Sequence, residues 1–313
     1  MTIITFSREL AALGDETARE LAKRLNYRLI DKQTLEEKMK SYGIDSEKFK
    51  KFDEKKPSFF ASLSRDRDYY LHYLKTAIFA EAELTVCKTD AGCAADIGCA
   101  ADIGCAADAG CIFIGRGAGS VFRKMPGHIS IFLAAPVEIR VERVKSYFHC
   151  DEQRARQIIE KSDHDRRGFH RYFFDTDWKE PGNYHLSLNT GSIHPSACAE
   201  IITRLKDHII APEAPAECDV RLKELILEQN IKNCILYERQ VTIHFLEVSV
   251  SGSVVILYGG TNSQSAADAA VEAARALSVS LPASVSLPMS ASLPASAEIR
   301  SEIQIVMEYS VIP

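Results

Sequence analysis

The stretch Thr2-Ile-Ile-Thr-Phe-Ser-Arg-Glu-Leu-Ala-Ala-Leu-Gly-Asp-Glu-Thr-Ala-Arg-Glu-Leu-Ala-Lys-Arg-Leu25 sets the frame for everything that follows it. Thr2–Phe6 is a short run of β-branched and aromatic residues, which predicts a strand. From about Asp15 to Leu25 the apolar positions Ala18, Leu21, Ala22 and Leu25 recur on one face, which predicts a helix. Asp15 and Glu16 at its start, and Lys23 and Arg24 at its end, suit the helix dipole. The turn between them is where a phosphate-binding loop would sit. Such a loop uses glycines so that backbone N–H groups can approach phosphate oxygens, and a lysine for the outer phosphates. Here Ser7–Thr17 keeps only Gly14 and has no lysine, so the turn alone fails as that motif.

Working outward, strand and helix continue to alternate. Arg65–Val86 reads as a long helix, and Cys111–Ile114 and Ile129–Leu133 as compact apolar strands, each followed by helical sequence. Tyr184–Leu188 is another strand and Pro195–Ile209 a closing helix. This alternation predicts an α/β fold, a parallel sheet with helices on both faces. Ligands in such sheets bind at the carboxyl ends of the strands, here Ser7–Gly14, Gly115–Gly119 and Asn189–Gly191.

Composition limits the alternatives. The chain has 313 residues, 46% apolar and 26% charged, the balance of a soluble chain able to bury a core. A net charge of −5 disfavours nucleic acid as a partner, because that binding rests on basic residues neutralising phosphates. No apolar run approaches the ~20 residues of a membrane span, and Met1–Phe6 lacks the features of a signal peptide. The chain is therefore expected to be cytoplasmic. Two stretches repeat every six residues: Cys-x-x-Asp-x-Gly units through Cys87, Cys93, Cys99, Cys105 and Cys111, and SVSLPA-type units over Ser278–Ala295. Both are read as loop expansions, at 87–110 and 278–297. Small residues and glycine favour a mobile loop in the first, and proline in every unit breaks helix and central strand in the second. The cysteine spacing is not CxxC and no histidine lies within it, so free thiols are expected and no metal site. Ala211–Glu217, rich in Pro, Ala and Glu, reads as a linker (212–218) between a first domain, 1–211, and a second, 219–313. The charge divides unevenly: residues 1–212 carry 32 basic and 31 acidic side chains, against 6 and 12 beyond.

Two further constellations carry possible chemistry. Gly115-Arg-Gly-Ala-Gly119 places an arginine among glycines directly after a buried strand, where it could grip a phosphate through two N–H groups or face solvent. Asp163-His-Asp-Arg-Arg167 precedes the aromatics Phe169, Tyr172, Phe173, Phe174 and Trp178. It reads either as a solvated helix end or as a mobile lid bringing arginines over a transferring phosphoryl group.

In order and spacing these pieces resemble the cytidylate kinase-like family of P-loop nucleoside monophosphate kinases, over roughly residues 2–210. ITFSREL with GDETARELAKRLNY is similar to that family's opening strand, loop and helix, and Tyr27–Asp31 to the start of its monophosphate-binding region. FIGRGAGSVF and ISIFLAAPVEIRVERV are similar to its Gly-Arg segment and the next strand and helix. SDHDRRGFHRYFFDTDW resembles its lid and YHLSLNTG its last strand and turn. The resemblance implies transfer of the ATP γ-phosphoryl group, with Mg²⁺, to a nucleoside monophosphate such as CMP. It puts Ser7, Arg8, Gly14, Asp15, Glu16 and Thr17 around the donor phosphates, and Asp31, Gly115, Arg116 and Arg167 at the acceptor. Arg116, Asp163 and Arg166 are the implied catalytic residues. Arg140 and Arg143 also qualify, but read equally as surface partners of Glu138 and Glu142. Against the family pattern, Ala11 and Leu13 stand where glycine is expected. Asp15 replaces a basic or hydroxyl residue and reads as a helix cap competing for the N–H groups ATP would need. Gly117 replaces an acidic residue, and His185 an aspartate. A degraded relative that senses a nucleotide or another ligand is the alternative.

From Cys218 the pattern changes. Asp219–Gln229 reads as a helix, Val241–Val250 and Ser253–Tyr258 as strands joined by Ser251-Gly252, Ser265–Leu277 as an Ala-rich helix and Ile299–Tyr309 as a last strand. This order, with Val248, Val250, Gly252, Val254, Ile256 and Gly259, resembles the small α+β BON module. That implies a binding role for an unidentified ligand or partner.

Overall fold

The β-branched opening run forms a strand buried on both faces, β1 (Thr2–Arg8), and this burial organises the sheet around it. A computed structural model describes residues 1–42, 66–86, 109–277 and 297–305. The two hexapeptide repeats, at 87–108 and 278–296, lie outside the described residues, apart from the first repeat's last residues, which lead into β3. After β1 come α1 (Gly14–Leu25), β2 (Arg28–Ile30), α2 (Lys32–Ser41), α3 (Asp66–Val86), β3 (Gly110–Ile114) and the single turn α4 (Ala118–Val121). Then follow β4 (His128–Ala134), α5 (Val137–Phe148), α6 (Glu152–Phe174), β5 (Leu186–Asn189) and α7 (Pro195–Ile209). The strand order is β2-β3-β1-β4-β5 with every neighbouring pair parallel, so this is the expected P-loop kinase-like α/β sheet.

Alternation along β1 sends Ile4 and Phe6 to one face and Ile3 and Thr5 to the other. On the first face they join Ile112, Ile114, Ile129, Ile131 and Leu133 beneath Ala18 and Leu21 of α1 and Cys198, Ala199 and Ile202 of α7. On the second, Phe113 and Phe79 close on Phe122, with ring centroids 5.3 and 5.9 Å away. His128, the first residue of β4, is 6% exposed, and its Nε2 pairs with the Thr5 hydroxyl at 2.8 Å. Burial drives its pKa down to about 3, with the neighbouring His185 adding to the shift.

The Asp163–Arg167 segment, expected as a solvated helix end or a mobile lid, lies within α6, a 23-residue helix. Ala155, Ile159, Asp163, Phe169, His170 and Phe173 are buried along that helix, at a spacing that puts them on one stripe. The Pro/Ala/Glu stretch expected as a linker is helical from Ala214, the start of α8 (Ala214–Asn233). Pro215 falls in its first turn, where a missing N–H breaks no intrahelical bond.

The chain divides into two compact units, Met1–Asp219 and Val220–Pro313. The second holds the remainder of α8, β6 (His244–Ser251), β7 (Val254–Thr261), α9 (Gln264–Ala276) and β8 (Glu298–Ile305). This is a small α+β unit with a mixed sheet, β6-β7 antiparallel and β7-β8 parallel. Val248, Val250, Val255 and Leu257 pack with Leu227, Ile231 and the alanines Ala270, Ala273 and Ala274.

Candidate active site

At the carboxyl end of β1 the chain turns through Glu9–Leu13 into α1. Ala11 (φ 60°) and Leu13 (φ 52°) are both left-handed, so the two positions expected to be glycine keep the glycine conformation without the glycine. That costs about 1–2 kcal/mol at each residue. Side-chain packing offsets it: Leu10 and Ala11 rest against Val141, Val144, Ala155 and Ile159 of α5 and α6. Gly14 remains glycine for a steric reason, since a Cβ there would lie 2.6 Å from Cγ of Arg8.

Every carbonyl of this turn is held by a donor within the same unit. Glu9 O accepts from Ala12 N at 3.3 Å, and Leu10 O from Arg140 Nη1 at 3.5 Å. Ala11 O accepts from Arg143 Nη1 at 2.9 Å, and Ala12 O from the Thr190 hydroxyl at 3.0 Å. Leu13 O takes the N–H and the hydroxyl of Thr17, at 3.0 and 2.8 Å. The N–H of Leu10 donates to Asp163 Oδ1 at 3.1 Å. Among the described residues no acceptor meets the N–H groups of Ala11, Leu13, Gly14, Asp15 or Glu16. Carbonyls turned onto protein donors leave the remaining amides, at a helix start, able to receive an anion.

The expected capping by Asp15 is overturned. The N-cap is Leu13 with no side-chain bond, while Asp15 is exposed and pairs with Arg8 Nε at 3.7 Å. It therefore takes none of the N–H groups from an incoming anion. Ser7 is half-buried, Thr17 is buried with its hydroxyl committed to Leu13, and Glu16 is exposed.

Arg140 and Arg143 are likewise not paired with Glu138 and Glu142. Arg140, 6% exposed, bonds Asp163 Oδ2 at 2.8 Å and lies 3.5 Å from Glu9. Arg143 reaches past Ala11 to the Thr190 carbonyl at 2.7 Å. Lys179 bonds Glu9 and stands 4.0 Å from Asp163, and Arg166 Nη1 lies 3.7 Å from Asp163 while bonding Ser162. Three cations thus surround two carboxylates beside the turn, a positive balance where the sequence has no lysine. Arg167, next along α6, is exposed. Sequence reading singled out Asp163 and Arg166, held Glu9 and Thr190 only within the strand ends Ser7–Gly14 and Asn189–Gly191, and missed Lys179; the chain separations of 170 and 178 residues in their contacts leave no local signal.

On the other side, a cleft of about 530 Å³ opens between Arg8, Asp15 and α2, where Asp31, Lys32, Glu36 and Lys40 line it. Asp31 caps α2, accepting from Thr34 N at 3.0 Å. At the carboxyl end of β3, Gly115, Arg116 and Gly117 are all left-handed. At Gly117, φ is 71° and a Cβ would sit 2.2 Å from the Phe174 ring, so an acidic side chain there would require that ring to move. Arg116, 3% exposed, bonds Glu36 Oε1 of α2 at 2.6 Å. His185, in place of an aspartate, accepts from Ser130 N at 3.0 Å, and burial lowers its pKa.

Among known proteins, the family described as the cytidylate kinase-like family matches residues 3–192. No curated protein matches the chain. Among solved structures, an uncharacterised protein from Eubacterium ventriosum is 18% identical, covering 66% of this chain and 99% of its own, at TM-score 0.45. Shikimate kinase from Bacteroides thetaiotaomicron is 11% identical over 66% and 98%, at 0.37. Shikimate kinase from Acinetobacter baumannii, solved with shikimate, is 16% identical over 67% and 96%, at 0.32.

Proposed function

The chain belongs to the cytidylate kinase-like family, and from that premise we propose that it transfers the γ-phosphoryl group of ATP to a nucleoside monophosphate such as CMP. One observation carries the donor half of this reading. The five amides from Ala11 to Glu16 that lack a protein acceptor share one turn whose carbonyls are all occupied. Polyphosphate oxygens are the acceptors that suit them, and Arg140, Arg143, Arg166 and Lys179 supply the nearby positive charge. Phosphoryl transfer depends mainly on positioning and charge stabilisation, which such a cradle provides. In this reading Asp163 is a positioning residue, fixing Leu10 and Arg140. The cleft along α2 takes the acceptor, whose phosphate displaces Glu36 from Arg116.

Magnesium would enter with the nucleotide and screen its phosphates. Among the described residues no three acidic, histidine or cysteine side chains come together as a metal site, so no protein ligand is assigned to it.

A second reading, a nucleotide-binding sensor without turnover, is favoured by the engagement of Arg116 with Glu36 and of Arg166 with Asp163 and Ser162. A coupled assay with ATP, Mg²⁺ and each nucleoside monophosphate separates the two, run beside a thermal shift with ATP alone. Turnover that falls strongly in Arg116→Ala and Arg166→Ala supports the kinase. An ATP-induced shift without turnover supports the sensor. Neither shift nor turnover overturns both.

A further inference from the structure

The two edges of the second unit's sheet are treated differently. Near its end, the outer side of β6 is sealed by α8. Glu228 accepts from Val250 N at 3.0 Å, Arg221 donates to Val250 O at 3.2 Å, and Glu224 accepts from Gly252 N at 2.9 Å. The opposite edge is β8, Glu-Ile-Arg-Ser-Glu-Ile-Gln-Ile over 298–305, and among the described residues nothing pairs with its outer side. An open strand edge is a template for another strand. Charged side chains often blunt such edges; here their signs alternate, with Glu298, Arg300 and Glu302 exposed on one face, Arg300 bonding Glu298 of its own strand at 2.8 Å, and Ile299 and Ile303 half-buried on the other.

We propose that β8 pairs with β8 of a second copy of this chain, antiparallel and centred on Ser301. The register follows from the residues. A shift by one would carry Glu298 to the face of Ile303, which the period of two forbids. Centring on Arg300 sets Arg300 against Arg300 and Glu298 against Glu302, and like charges directly opposite repel. Centring on Ser301 sets Arg300 against Glu302 twice and Ile299 against Ile303 twice. The charges then match on the exposed face and the isoleucines extend the apolar face. Two three-stranded sheets become one of six strands about a two-fold axis.

Sedimentation of the full chain over a wide concentration range tests this, because the variants can be made to complement one another. Wild type is expected to dimerise reversibly. Arg300→Glu alone sets glutamates opposite each other, Glu302→Arg alone sets arginines opposite each other, and each raises the dimer dissociation constant about tenfold or more. Mixing the two variants restores both opposite-charge pairs, so the mixture is expected to associate as tightly as wild type. Wild type that stays monomeric throughout, dimerisation indifferent to both variants, or a mixture that does not recover would each overturn the proposal. Circular dichroism of each variant separates lost pairing from lost folding.

Discussion

The turn after β1 and the turn after β3 leave adjacent parallel strands at the same end of the sheet, and they are held in opposite ways. Glu9–Leu13 is held from outside: Asp163, Arg140, Arg143 and Thr190, from three later segments, fix its backbone. Gly115–Gly117 bends with glycine on either side of Arg116, and that arginine is tied to Glu36. The first turn has amides to offer and no basic side chain of its own among them. The second has the charged side chain, already engaged. A turn can therefore keep a glycine-type backbone and open amides without glycine or lysine at those positions, provided other elements hold its carbonyls.

The sharpest way to break this contrast is Asp163→Ala. It leaves Arg140 buried without its closest carboxylate and frees the Leu10 amide, so a loss of about 3 kcal/mol in urea unfolding is expected. A loss under 1 kcal/mol would mean the turn is not held from α6. Arg143→Met keeps the aliphatic packing but releases the Ala11 and Thr190 carbonyls; ATP affinity by calorimetry should fall about tenfold, as charged hydrogen bonds are worth roughly 1.5–3 kcal/mol. Unchanged affinity would detach Arg143 from the donor turn.

Acid offers a control that should not distinguish the turns, because His128 lies at the far end of β4. Its folded pKa, about 3, is below the unfolded value near 6.5, so the unfolded chain takes up the proton first. Stability is complete above pH 6.5 and falls by about 1.4 kcal/mol per pH unit as the pH drops towards 3. Denaturant titrations at pH 7 and pH 5 check this, and equal stability at both would contradict it. Glu36→Gln weakens the hold on Arg116 and leaves the donor turn untouched. The KM for an accepted monophosphate should fall roughly threefold with kcat steady, in keeping with a partly exposed pair. A rise in KM would show that Glu36 itself contacts the acceptor. Smallest of all, Ala11→Gly relieves a left-handed φ but loses a methyl contact, so stability should stay within about 1 kcal/mol and ATP binding should not change. A large loss of ATP binding would mean that the methyl group, and not the backbone, shapes the cradle.

Much of the first unit is legible along the chain because its signals are local. Pro195–Ile209 is read to the residue, and the strands Thr2–Phe6, Cys111–Ile114 and Ile129–Leu133 to within two at either end. Burial on both faces writes itself as unbroken apolar runs. Ala11 and Leu13 are also legible as positions wanting glycine, and their φ angles agree. The roles of Arg140 and Arg143 are not, because Glu138 and Glu142 are neighbours in sequence while Leu10 and Ala11 lie some 130 residues away. The same holds for Asp15, whose carboxylate looks like a cap until the helix begins one residue earlier and Arg8 turns towards it.

Sequence alone determined the alternation of strand and helix, the parallel sheet and the family, since periodicity and apolar runs are properties of neighbouring residues. Tertiary structure alone decided which groups close the carbonyls of the first turn, and that its amides stay open without glycine or lysine. A hydrogen bond between residues 153 apart has no trace in either one's neighbourhood; it exists only once β1, α5 and α6 have packed.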